Sequence, residues 1–231
     1  DPKLVGEFNA IPIGRTNYDV ADQLANLGME AIHPKAAKGL RYQGIPLRVK
    51  NTFEPEHAGT LITGDYVSEK PCVEIIAGCT GVYALVLHDQ DMTGSFNEYD
   101  NQFLSLIRRF KAYIVSKDVN ANTITHYLRT NLKTIKRIRC ALQEVFPEAE
   151  IDQQKVAIIS AIGSDIKVSG ILAKAVSALA EKNVSVLAMH QSIRQVDMQF
   201  IIDEDEYASA IQSLHRRLVE VHNHGSAICV A

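Results

Sequence analysis

The stretch KVAIISAIGSDIKVSGILAKAVSALAEKNVSVLAMHQSIRQVDMQFIID, residues 155–203, decides the fold because it contains a complete series of alternating elements. Its apolar run at 156–162 predicts a strand, and the Gly-, Ser- and Asp-rich loop that follows leads to a predicted helix at 171–181. Two further strands and a helix are predicted at 184–191, 196–202 and 205–221. This order is that of a βαββαβ unit without its last strand.

The same pattern occurs about 74 residues upstream, with few identical letters. The predicted elements there are a strand at 81–88, a loop at 89–95, a helix at 98–111, strands at 113–117 and 122–128, and a helix at 131–146. Such a duplication indicates more about the fold than any single motif does. Apolar segments at 148–152 and 72–77 can supply the missing strands. The first copy then closes locally, whereas the second takes the strand that precedes the first copy, with 226–231 as a weaker alternative.

The segment before the repeats alternates helix and strand but is too short to form a core of its own. Thr16 or Asn17 is a good helix N-cap and Gly28 a good C-terminal stop. A second helix is predicted at 35–41, and strands at 45–49 and 60–62. The predicted organisation is a tail at 1–64, a linker at 65–71, a completing strand at 72–79, a first unit at 80–153 and a second unit at 154–231.

Composition excludes several classes of protein. The 231 residues carry a net charge of −3, which gives no reason to expect nucleic acid as a partner. No apolar run approaches the roughly 20 residues of a membrane span. The four cysteines have neither metal-ligand spacing nor a disulfide pattern, so reduced thiols and a cytoplasmic location are expected. The chain opens on Asp1 rather than Met, which suggests a fragment of a longer protein.

Three sequence strings in the tail resemble the end of the aspartokinase catalytic domain. They are Leu27-Gly28 with His33-Pro34, Gly44-Ile45-Pro46-Leu47 with Asn51-Thr52-Phe53, and Gly59-Thr60-Leu61-Ile62. In that family two nested ACT units, which are small βαββαβ modules that bind amino acids, follow this segment. The resemblance therefore implies an α+β fold with two ferredoxin-like units, the second completed by a strand preceding the first.

The resemblance implies the regulatory, amino-acid-sensing region of an enzyme that phosphorylates the β-carboxylate of aspartate with ATP and Mg²⁺. The family's Lys-Phe-Gly-Gly phosphate loop and Gly-Arg-Gly-Gly-Ser-Asp substrate loop do not occur here. Glu30 also stands where the family often has Lys. We therefore expect the fragment to be inactive, with no catalytic residue, metal or cofactor of its own. The alternatives are a free-standing amino-acid sensor and a module that only dimerises.

The loop after the first strand of each copy is the candidate effector site. In the first copy it offers Asp91, Met92, Gly94 and Ser95, and in the second Ser164 and Asp165. Backbone N–H groups at the following helix N-terminus suit a ligand carboxylate. The alternative is that these residues only cap their helices. The resemblance implies that amino acids bind at this loop, usually across an interface between units. A homodimer is expected because pairing two units covers the edge strand of an open four-stranded sheet.

The identity of the effector depends on the strand after the first helix. In the family an Asp on this strand is well placed for the effector's ammonium group, and the resemblance puts Val115 at that position. Asn120 and Asn122 remain as polar contacts. Asp118 replaces the lost charge only if the strand slips by three residues, which reverses its face. Weak or altered feedback is expected, with threonine favoured over lysine.

Overall fold

The computed structural model describes residues 2–6, 9–29 and 34–221. It divides into two compact units: an inserted unit, Thr80–Ala157, and an outer unit made of Asp1–Cys79 and Ile158–Ala231. Several sequence-based expectations fall outside the described residues: those on Asp1, Glu30 and His33, and the alternative strand at 226–231. No helix in the described ranges is long and apolar enough to cross a membrane.

The tail of the outer unit contains a three-stranded sheet and three helices. Its elements are α1 (Pro2–Val5), β1 (Arg15–Asn17), α2 (Tyr18–Asn26), α3 (Pro34–Tyr42), β2 (Leu47–Val49) and β3 (Thr60–Thr63). β3 lies between β1, to which it is parallel, and β2, to which it is antiparallel. The side chain of Asn17 caps α2 by accepting a hydrogen bond from Val20 N, and Gly28 ends it with φ +98°. Both ends of α2 agree with the sequence prediction.

The inserted unit contains α4 (Phe96–Arg109), β5 (Tyr113–Val119), β6 (Thr123–Arg129) and α5 (Leu132–Val145). Parts of two longer strands complete it, β4 (Ile75–His88) and β7 (Glu150–Ile162), in the order β5-β6-β4-β7. Both helices bury one apolar face because their apolar residues recur at helical spacing. Phe103 of α4 and Ile138 of α5 are fully buried in one cluster with Leu85 of β4.

The second copy of the pattern lies in the outer unit, as α6 (Ile171–Ala180), β8 (Val186–Gln191), β9 (Asp197–Asp203) and α7 (Tyr207–Leu218). α6 packs against α7. The segment before the first copy pairs here, since Cys72 N donates to Asp165 O and Glu74 N donates to Ile162 O, each at 2.9 Å. The predicted α+β fold, in which the preceding strand completes the second unit, is confirmed.

Two pairs of predicted short strands are single long strands. Most of the segments at 72–77 and 81–88 lies in β4, which begins at Ile75, and most of those at 148–152 and 156–162 lies in β7, which begins at Glu150. Gly78 interrupts the apolar pattern of β4, but a Cβ there would lie 2.8 Å from Ile158 O and from the Tyr207 ring. Glycine at this position therefore reflects a close approach within the outer unit, not a turn.

Candidate functional site

The first candidate loop joins β4 to α4, and Asp89 forms hydrogen bonds across it. One carboxylate oxygen of Asp89 accepts a hydrogen bond from Asp91 N at 2.9 Å, and the other accepts one from the Tyr99 hydroxyl at 2.9 Å. Burial and the neighbouring Asp89 raise the pKa of the Tyr99 phenol. The loop is thus stabilised by its own acidic side chain, a contact that the sequence analysis did not identify.

The loop lies beside the turn that joins β5 to β6. Asp89 N donates to Asn122 O at 3.0 Å, and the Thr93 hydroxyl donates to Ala121 O at 3.4 Å. The structure therefore brings the loop that contains Asp91, Gly94 and Ser95 to the turn that contains Asn120 and Asn122. Sequence spacing could not show this proximity, because it depends on how β6 pairs with β4.

The N-terminus of α4 is open at this loop. Ser95 is the N-cap residue, but its side chain makes no capping hydrogen bond. The first N–H groups of a helix have no partner within the helix, so those of Phe96 and Asn97 are available to an anion. Gly94 adopts φ +91°, a conformation that side chains rarely adopt, and this shapes the entry to the helix.

Two of the predicted site residues are turned into the protein interior. Met92 is fully buried in the core cluster of the inserted unit, and Val115 is 6% exposed. Val115 also falls at a β-bulge, where the pairing of β5 with β6 shifts register. It lies four residues before the end of β5, which is about 13 Å along the strand from the loop. Within one chain, neither side chain lines the loop surface.

The side chains of the two asparagines stabilise their own turn. Asn120 Oδ1 accepts a hydrogen bond from Asn122 N at 3.3 Å, and Asn122 Oδ1 accepts one from the Thr123 hydroxyl at 3.3 Å. These hydrogen bonds stabilise the turn, as those of many Asx turns do. Their amide NH₂ groups remain as the donors that a ligand can use.

The second candidate loop is engaged by a carboxylate from the same chain. Glu74 Oε1 accepts hydrogen bonds from Ser164 Oγ at 2.5 Å and from Ser164 N at 3.2 Å. Ser68 N in turn donates to Ser164 Oγ at 2.8 Å. Asp165 Oδ1 accepts a hydrogen bond from Lys167 N at 3.0 Å. Both predicted site residues of this loop therefore already have partners in the outer unit.

Glu74 is a site residue that the sequence analysis missed, although a signal was present. It is the one charged residue in the apolar run Cys72-Val73-Glu74-Ile75-Ile76-Ala77. A carboxylate inside a buried strand requires hydrogen-bond donors. The nearby Cys72 is also buried, and burial is the main cause that raises the pKa of its thiol. Within the described ranges no cluster of three or more His, Cys, Asp or Glu side chains forms a metal site.

Comparison with known proteins gives consistent relatives. Residues 159–218 match the ACT domain family. The chain is 56% identical over its 231 residues to the aspartate kinase Ask_Ect of Stutzerimonas stutzeri (strain A1501), of which it covers 48%. The chain thus spans about half the length of that relative.

Solved structures show the same fold at lower identity. The aspartate kinase of Clostridium acetobutylicum superposes with a TM-score of 0.81 at 21% identity, over 94% of this chain and 51% of that one. E. coli aspartokinase III in complex with lysine and aspartate gives 0.77 at 18% identity, over 94% of this chain and 48% of that one.

Proposed function

We propose that the chain is the regulatory region of an aspartate kinase, because it is related to these enzymes over its whole length and contains an ACT domain. The observation that carries this proposal is the match of the tail and both repeats together to one relative at 56% identity. The full-length enzyme would transfer a phosphoryl group from ATP, with Mg²⁺, to the β-carboxylate of aspartate. We place it in the cytoplasm, because the spacing of its four cysteines fits neither a disulfide framework nor a metal site and favours reduced thiols.

The effector site in this proposal is the first loop, with the adjoining turn. The open N-terminus of α4 and the conformation of Gly94 suit an amino-acid carboxylate. Asp91 and the amides of Asn120 and Asn122 supply polar groups for the rest of a small ligand. The E. coli relative solved with lysine supports an amino acid as the class of effector.

The position of β5 in the inserted unit supports a homodimer. β5 is the last strand in the order β5-β6-β4-β7, which makes it an edge strand of that unit, and an edge strand is a ready place for pairing with another chain. Pairing with a second copy covers such an edge and is the commonest form of symmetric association. Light scattering at tens of micromolar should give the mass of a dimer, and a monomeric mass would contradict the proposal.

Threonine is favoured over lysine because the strand lacks a free acidic side chain. Val115 is apolar and buried, and Asp118 already accepts a hydrogen bond from Tyr127. The loss of one charge-assisted hydrogen bond costs on the order of 1.5–3 kcal/mol, which is roughly ten- to a hundredfold in affinity.

Calorimetric titration of the chain with threonine and with lysine tests the site. Ser95→Asp is the informative variant: an Asp at the N-cap stabilises a helix but repels a ligand carboxylate from the same N–H groups. We expect binding to weaken while the melting temperature is kept or raised. Asn131→Asp, at the N-cap of α5, is the matched control and should leave binding unchanged. Absence of binding by both amino acids would contradict an effector role for the loop.

A further inference from the structure

The contact between Glu74 and Ser164 resembles the binding of a ligand more than the packing of a core. The loop presents a backbone N–H and a hydroxyl to a single carboxylate oxygen, at 3.2 and 2.5 Å. The hydroxyl is oriented for this purpose: its oxygen accepts Ser68 N–H, so its own proton is directed to Glu74. Paired N–H and O–H donors on one oxygen are a common arrangement for holding a carboxylate.

The burial of Glu74 argues against a side chain that only fills space in the core. The residue is 7% exposed, and its second oxygen, Oε2, has no hydrogen-bond partner among the described residues. An unsatisfied buried carboxylate oxygen is costly, whereas an apolar side chain of similar size carries no such cost. The N–H and O–H donors of Ser164 on Oε1 are therefore the feature that accounts for an acidic residue at this buried position.

Backbone hydrogen bonds hold the segment that contains Glu74 close to the loop. Glu74 N donates to Ile162 O and Cys72 N donates to Asp165 O, so the two segments pair on both sides of Ser164. A Cβ on Gly163 would lie 2.4 Å from Cys72 O, so only glycine permits this approach. This pairing fixes the register of the two segments and so places the Glu74 side chain at the loop.

We propose that the loop at residues 163–170 is a carboxylate-binding site and that Glu74 occupies it as a tethered ligand. The second copy of the pattern is then closed to external amino acids by the chain itself. The first copy, in which the loop is capped by its own Asp89, is left as the one open to them. This inference is independent of the proposed function, since it concerns a contact within the outer unit.

Chemical rescue tests the proposal on the full 231-residue chain. Glu74→Ala removes the tethered carboxylate and leaves space beside Ser164. We expect its melting temperature to fall, and sodium acetate to raise it again by about 3–6 °C when present at ten times its dissociation constant. Sodium chloride at equal ionic strength, and the exposed variant Glu69→Ala in acetate, serve as controls. Equal effects of acetate on both variants, or none on Glu74→Ala, would overturn the proposal.

A second variant covers the case in which Glu74→Ala does not fold. Glu74→Gln keeps the shape of the side chain but removes its charge. If the loop binds an anion, this variant melts lower than the native chain, and the amide of Ser164 exchanges hydrogen faster. Stability and exchange equal to those of the native chain would show that Glu74 only fills space. Titration with threonine reports on the first loop separately, so failure of one proposal is distinguishable from failure of the other.

Discussion

The Tyr127 hydroxyl donates a hydrogen bond of 2.6 Å to Asp118 Oδ2. The two residues lie on the paired strands β6 and β5, where Asp118 is opposite Thr125 and Tyr127 is opposite Ser116. Burial, and then the Asp118 carboxylate, raise the pKa of the Tyr127 phenol. Asp118 is thus held by a neighbouring strand through one of its carboxylate oxygens.

The first prediction concerns this pair. Tyr127→Phe and Asp118→Ala should each destabilise the fold by about 1–3 kcal/mol, because each leaves a polar partner without its hydrogen bond. In a double-mutant cycle the two effects should not add. Denaturant unfolding measures the free energies. Calorimetry should show no loss of amino-acid binding in Asp118→Ala. Lysine binding at low micromolar affinity that this substitution abolishes would contradict both the register and the preference for threonine.

The second prediction concerns His126, whose side chain is fully buried in the inserted unit. Its ring lies edge-on to Phe103, and its Nε2 is 3.7 Å from an Asp100 oxygen that also pairs with Lys117. Burial, and then Lys117, lower its pKa from 6.5 to about 4, whereas Asp100 acts in the opposite direction. His126 is therefore neutral in the folded state at pH 7.

Because the folded-state pKa is below the unfolded one, this contribution to stability is complete above pH 6.5. It is lost as the pH falls through about 4. The loss is on the order of 3 kcal/mol. In His126→Phe, unfolding free energies measured from pH 7 to pH 4 should fall less steeply than in the native chain. The exposed His190→Gln serves as control. An unchanged slope in His126→Phe would show that this residue does not titrate on unfolding.

The third prediction tests the close approach at Gly163. Gly163→Ala places a Cβ 2.4 Å from Cys72 O and 2.9 Å from the Ile166 side chain. Since the nearer atom is backbone, we expect a loss of about 1–3 kcal/mol or more in unfolding free energy. Gly64→Ala is the matched control, because nothing lies within 4 Å of its Cβ. A melting temperature of Gly163→Ala equal to that of the control would disprove the approach.

The fourth prediction is that the 231-residue chain shows no aspartate kinase activity. Phosphoryl transfer needs cations and backbone donors around the transferred group, and the sequence contains neither the family's phosphate loop nor its substrate loop. A coupled assay of ADP release with aspartate and MgATP, at high protein concentration, measures this. Release above a blank without enzyme would refute the prediction.

The sequence by itself determined the repeated βαββαβ pattern and, to within a few residues, the positions of the helices. These features depend on local physics: apolar residues at period 2 or 3.6, a capping side chain such as Asn17, and a stop such as Gly28. The position of the two candidate loops, each after the first strand of a copy, follows from the same order. The sequence also indicated that a strand from before the first copy completes the second.

Only the tertiary structure decided which polar groups at those loops are free. Ser164 and Asp91 occupy similar loops, each after the first strand of its copy, yet only the structure shows that Ser164 is bound to Glu74, 90 residues away. The burial of Val115 at a bulge was likewise not visible in the sequence. Such contacts depend on strand pairing, and a shift of one residue in register would turn each side chain to the other face. Long-range pairing is therefore what brings Glu74 to Ser164, and no local pattern of residues encodes that contact.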